Sequence, residues 1–306
     1  MLPIIIAIAP VFLAIALGNG LKRISFLSDE GWAAFDRMNY YVFFPALIIH
    51  AIAQANFAGE LVLDMAITLL GSVGVITVLL LALRPLMSIS SASFTSLFQC
   101  SVRWNGFVGV GTAMILWGNE GVSLVAIGVA VVVPTVNTLS VVILTHSTGT
   151  MKGMRQLVRL LITNPLILAC IAGILLNITG IGLPGPANGL ADLLGAAALA
   201  LGLLSVGAGI ELAQFRHMGW TMAFGTFASL ILMPATIFLF GRLLGISGLP
   251  FMALVLIGSV PTAASGYVLA RQLGGDAPLM AGLVTSTSLF AMITMPIWLS
   301  LAEIYS

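Results

Sequence analysis

Residues 99–112, Gln-Cys-Ser-Val-Arg-Trp-Asn-Gly-Phe-Val-Gly-Val-Gly-Thr, put a cation and a carboxamide inside a run, 92–118, that is otherwise apolar enough to span a bilayer. Arg103 presents a planar fork that matches a carboxylate through two parallel hydrogen bonds. Asn105, two residues on, offers donors and an acceptor. An arginine near the middle of a span costs about 2.5–3.5 kcal/mol on insertion scales. Gly106, Gly109 and Gly111 follow at once, and each weakens a helix by about 1 kcal/mol relative to alanine. The two penalties together predict a break in the helix where a cation lies beside loosened backbone and a solute is held. Each residue also has a plainer reading. Arg103 can partner helix-end carbonyls or an acidic side chain, and Asn105 can cap the second half-helix.

Three other places carry polar groups or helix breakers deep in apolar runs. Asn137 closes Val-Val-Val-Pro-Thr-Val-Asn, and Pro261, Ser265 and Gly266 interrupt the run 250–273. Asn137 reaches the break or bonds between helices, as intramembrane amides commonly do. Arg103, Asn105, Asn137 and Ser265 are therefore the expected substrate-binding residues, with Gly106, Gly109, Gly111, Pro261 and Gly266 shaping the backbone. Thr285, Ser286, Thr287 and Ser288 read as helix-packing residues. Asp36, Arg37, Asp64, Asp192, Glu211, His50, His146 and His217 lie near span ends, where interfacial solvation is the ordinary explanation. There is no HExxH, no paired-aspartate prenyl-transfer motif, no nucleophile–base pair and no P-loop pattern. Catalytic residues, a metal, a cofactor and direct ATP drive are not expected.

The elements that position these residues follow from composition. The chain has 306 residues, 60% hydrophobic and 7% charged, with net charge +1, and a mean hydropathy of +1.16. That apolar excess fits an all-α polytopic membrane protein, because lipid cannot satisfy an open sheet edge. No basic run suggests nucleic acid. Cys100 and Cys170 both fall in apolar runs and read as reduced. The opening Met-Leu-Pro-Ile-Ile-Ile lacks a positive leader and reads as a retained first helix.

About 20 apolar residues per span gives ten transmembrane helices: 3–20, 33–54, 61–83, 92–118, 121–145, 164–180, 190–212, 218–241, 250–273 and 278–302. With the N-terminus outside, one face collects Lys22, Arg23, Arg37, Arg84, Lys152, Arg155, Arg159, Arg216 and Arg271, and the other only Arg242. The positive-inside rule then puts both termini on the outer (periplasmic) side of the inner (plasma) membrane. The organisation reads as a first five-helix repeat, 1–146, a cytoplasmic connection, 147–163, and a second repeat, 164–306. An odd number of spans per half inverts the second against the first. A shift of 156 residues places Gly118 on Gly274, Glu120 on Asp276 and Asn105 on Pro261. In each half the fourth span is the interrupted one. Paired broken helices in inverted halves are the pattern of secondary transporters, with the breaks meeting near the midplane.

Several strings, taken in order, resemble the auxin efflux carrier family of bacterial and plant transporters. They are Phe43-Phe44-Pro45-Ala46-Leu47, Arg103-Trp104-Asn105-Gly106-Phe107-Val108-Gly109, Trp117-Gly118-Asn119-Glu120-Gly121, Asn164-Pro165-Leu166-Ile167-Leu168, Leu232-Met233-Pro234 and Val260-Pro261-Thr262-Ala263-Ala264. The resemblance implies two inverted five-helix repeats with crossing fourth and ninth helices. It also implies an elevator-like movement of one bundle against a scaffold made of the first, second, sixth and seventh helices. Plant members of the family carry a proline at each crossover. The corresponding positions here are expected at Gly111 and Gly266. The long cytoplasmic loop of plant members is absent.

The function expected is a secondary carrier for a small organic anion, a mono- or dicarboxylate, to which the resemblance adds auxin-like indole acids and malate or malonate. The alternatives are a channel, which needs a continuous polar pore, and an intramembrane enzyme, for which no motif is present. The small residues of 195–209 suit close helix contact, within one chain or between two copies in a homodimer. Coupling to protons or sodium stays open.

Overall fold

A computed structural model of the chain describes residues 2–55, 59–148, 162–215 and 219–306. Among these residues every regular element is a helix, the one secondary structure besides a closed barrel whose backbone bonds need no partner in lipid. The expected connection 147–163, with Lys152, Arg155 and Arg159, falls almost wholly outside the described residues, as do Arg216 and His217.

The first helix, α1 (Leu2–Arg23), ends on its basic pair. Ser28 accepts a hydrogen bond from the Gly31 amide and starts α2 (Asp29–Met38). A π-helical turn, Asn39–Phe43, then leads into α3 (Phe44–Ala53). Pro45 explains the turn. Its ring crowds the carbonyl four residues back and it has no N–H to give, so the helix widens, with the Phe44 amide bonding the Asn39 carbonyl. The same device recurs ahead of Pro234, where the turn Ala228–Leu232 joins α10 (Trp220–Phe227) to α11 (Met233–Leu243).

α4 (Gly59–Leu83) ends in a short 3-10 turn at Arg84–Leu86. α5 (Ser91–Val102) is followed after a gap by α6 (Gly106–Thr148). α6 bends at Gly118, whose φ of 60° and ψ of −148° suit only glycine. Asn164 caps α7 (Pro165–Ile178) through two backbone amides. Then come α8 (Gly185–Ala208) and the short α9 (Leu212–Phe215). After α11, α12 (Gly248–Ser259) and α13 (Ser265–Leu273) flank a second gap. Gly274, at φ 78°, closes α13, and Asp276 caps α14 (Ala277–Tyr305).

Six stretches are long and apolar enough to cross a membrane: Leu2–Arg23, Gly59–Leu86, Ser91–Leu144, Gly185–Ala208, Trp220–Leu243 and Ala277–Tyr305. The ten expected spans do not all take the form of single long helices, and the reasons are local. The second is assembled from α2, the π turn and α3. The fourth and fifth run together as Ser91–Leu144, while Pro165–Ile178 and Gly248–Ser259 are apolar but shorter.

The helices pack in two groups. α1, α3, α7 and α8 form one, and α4, α5 and α10–α14 form the other, with α6 touching both. In the first group, small residues let backbones meet. A Cβ on Gly207 would lie 1.8 Å from the Ile15 carbonyl oxygen, and one on Gly18 would lie 2.0 Å from that of Leu204. The small-residue run of α8 thus serves contact within the chain. The polarity of the molecule is that of a lipid-bathed protein. Leu13, Leu63, Val78, Leu193, Leu243 and Ile293 are exposed, while Gln99, Ser101, Asn105, Thr262 and Thr285–Ser288 are buried.

Candidate functional site

α5 stops where Arg103 turns extended (φ −83°, ψ 146°), its amide still bonded to the Gln99 carbonyl. Asn105 starts α6. Its side-chain oxygen accepts from the amides of Phe107 at 3.1 Å and Val108 at 3.3 Å, which satisfies donors that a helix start leaves orphaned. In the second break, Val260 is extended after Ser259, and the Thr262 amide donates to Thr287 Oγ1 at 3.3 Å. No side chain caps the first turn of α13. The breaks are joined directly, because the Asn105 amide donates to the Pro261 carbonyl at 2.8 Å. These are the two positions that the 156-residue shift superposes. Gly118 and Gly274, which the same shift pairs, both take positive φ.

Arg103 reaches away from its own helix. Nη1 donates to Ser265 Oγ at 3.0 Å and Nη2 to Asn137 Oδ1 at 2.7 Å. Tyr40 lies within electrostatic reach, with the Asn164 side chain near its hydroxyl. All of these partners are neutral. The ion pairs among the described residues are Lys22–Asp29 and His50–Asp192, so no carboxylate there compensates the guanidinium. Arg103 Nε is buried with no partner. Arg103 is half-buried, and a charge partly withdrawn from water and met only by neutral groups is costly and favours a bound anion. The first turn of α13 adds to this. Its uncapped N-terminus is the positive end of the helix dipole, and Ala264 and Ser265 there are exposed. Behind the break, a cavity of about 20 Å³ touches Ser101, Arg103, Trp104 and Ser229, which is room for one water and too small for an organic acid. The accessible side of the site is therefore the Ser265 side.

The structure brings Arg103, Asn137 and Ser265 into one hydrogen-bonded group, and Asn105 sits at its base as a cap. The glycines lie elsewhere than at the breaks, which fall at 103–105 and 260–264. Gly106, Gly109 and Gly111 are inside α6, and Gly266 is the second residue of α13. They provide close approach. Added Cβ atoms would lie 3.0 Å from Phe44 at Gly106, 2.9 Å from the Trp104 ring at Gly109 and 2.3 Å from Met280 Cε at Gly266. Pro261 is in the second break itself. Tyr40 and Asn164 escape the sequence reading. The Asn-Pro dipeptide at 164 signals only a helix start, and nothing along the chain relates it to Tyr40 or Arg103. Gln99 escapes it too. It is fully buried one turn before Arg103, with neither amide atom hydrogen-bonded.

The family model described as "Membrane transport protein" matches residues 3–299. An "Uncharacterized transporter" of Methanothermobacter thermautotrophicus (strain Delta H) is 26% identical over 299 residues, covering 94% of this chain and 95% of that protein.

Proposed function

The chain belongs to the membrane transport protein family, the auxin efflux carriers, and from that membership we propose that it is a secondary carrier for a small organic anion, working by alternating access. The observation that carries this reading is the Arg103 guanidinium, held by Ser265 and Asn137 with no acidic partner among the described residues. A carboxylate docked there gains charge-assisted hydrogen bonds from the fork and the field of the α13 N-terminus. It also relieves the unpaired charge, which a neutral or cationic solute does not. Mono- and dicarboxylates, including indole acids and malate- or malonate-like diacids, fit these requirements.

The movement proposed is elevator-like. The group α1, α3, α7 and α8 serves as scaffold, and the group carrying α5, α12, α13 and α14 moves with the cargo. Two features support it. The breaks are bonded to each other within the moving group, through Asn105 and Pro261. Tyr40, within reach of Arg103, lies in the π turn that leads into α3 on the scaffold side, so passage of the moving group exchanges its company for another. The ten-span topology with inverted halves, both termini on the periplasmic side of the inner membrane, is part of the same proposal, supported by the paired positions 105/261 and 118/274.

The test is a thermal-shift screen of organic acids on purified protein, followed by flux into liposomes with and without a pH or sodium gradient. Saturable, Arg103-dependent flux of an organic acid is the expected result. Single-channel current carried by the same solute would replace the carrier with a channel.

A further inference from the structure

Away from the crossover, a cleft of about 480 Å³ opens between the C-terminal end of α3, the first half of α8, the part of α6 around its Gly118 bend and the start of α12. That volume is typical of small-molecule sites. None of Arg103, Asn105, Asn137 and Ser265 lines it, so it is not the cargo site under another name. Leu47, Met114 and Pro250 give it an apolar surface, and His50, Glu120 and Asp192 give it a polar edge, with no Lys or Arg among the described lining residues. His50 Nε2 stands 4.0 Å from Asp192 Oδ1, and among the described residues Glu120 has no ion pair. The walls come from both packing groups, with Asp192 on α8 in one and Leu61 on α4 and Pro250 on α12 in the other.

We propose that this cleft binds a small organic cation, an ammonium group carried on an apolar body, and that the bound cation wedges the two helix groups at their present spacing. The apolar surface takes the body out of water, and the carboxylates of Glu120 and Asp192, exposed at its edge, attract the ammonium. An organic anion in the same place faces two like charges, so the cleft selects against the very class of solute that Arg103 favours. The wedging half of the proposal rests on the carrier reading above. The binding half does not.

Phenethylammonium, with phenylacetate and 2-phenylethanol as its anionic and neutral counterparts, tests binding on the purified full-length protein by calorimetry and thermal shift. Saturable binding of the ammonium is expected, with the alcohol weaker by about tenfold and the anion absent from this site. The double variant Glu120→Gln/Asp192→Asn is expected to lose that preference while organic acids still bind at the crossover. Ala196→Cys gives a second reading at an exposed wall position, since both native cysteines are buried. A cationic methanethiosulfonate is expected to label it several-fold faster than an anionic one, with phenethylammonium protecting. Equal binding of alcohol and ammonium, no saturable binding, or labelling indifferent to charge overturns the site. Binding without any effect on organic-acid flux overturns the wedge alone, and absence of flux in the wild type overturns the carrier reading while leaving the site standing.

Discussion

The two interrupted helices meet at one point but contribute differently. The first break, 103–105, supplies side chains. Arg103 brings the charge, and Asn105 seals the start of α6 with its own oxygen. The second, 260–264, supplies backbone. The start of α13 has no side-chain cap, the Pro261 carbonyl receives the Asn105 amide, and the Thr262 amide is held from outside by Thr287. At the start of α13 the Gly266 and Tyr267 amides donate to the Ala263 and Ala264 carbonyls, so what that end offers an anion is the field of the helix dipole beside the guanidinium. On the carrier function proposed above, recognition falls to the first break and the receiving backbone to the second.

Arg103→Ala separates the two contributions most strongly. Two charge-assisted hydrogen bonds at about 1.5–3 kcal/mol each predict at least a 100-fold loss of organic-acid affinity by calorimetry. The ligand-free Tm is expected to stay level or rise, because a half-buried, uncompensated charge is removed. A fall in Tm with affinity intact would make the arginine structural.

Next in size is a glycine pair. At Gly109 an added methyl meets the rigid Trp104 ring, and at Gly266 it meets the flexible end of Met280. Gly109→Ala is expected to cost about 1–3 kcal/mol and Gly266→Ala less, as read by detergent Tm. The reverse order would mean that the second break is the tighter one.

Asn105→Ala removes the cap at a cost of about 1 kcal/mol, and Asn105→Asp restores it. The bond to Pro261 uses backbone and survives either change. If the Ala variant instead unfolds the protein, the side chain does more than cap. Asn137→Ala is the mildest. Arg103 keeps Ser265, so a few-fold weaker affinity, measured by the same calorimetry, is expected.

The sequence made the polar residues legible because each is expensive where it stands. A cation and two carboxamides in apolar runs draw attention whatever the fold, and Arg103 does bond Asn137 and Ser265. The position of the breaks was less legible. Glycine permits a break without requiring one, and here Gly106, Gly109 and Gly111 stay helical because neighbouring rings and side chains need their space. What ends α5 is the extended Arg103 followed by a capping Asn. The second span was legible as a length but not as a shape, since Pro45 marks a disturbance of the helix without saying whether it kinks, breaks or widens there. Tyr40 and Asn164 are joined only by folding. No local pattern links residues so far apart.

The account's central claim is that cargo is held where the two gaps meet. A density map of the protein in complex with the organic acid giving the largest thermal shift tests it most directly. The account predicts a carboxylate within hydrogen-bonding distance of the Arg103 guanidinium and the first turn of α13. Clear density for the acid elsewhere, with Arg103 still bonded only to Ser265 and Asn137, would contradict it.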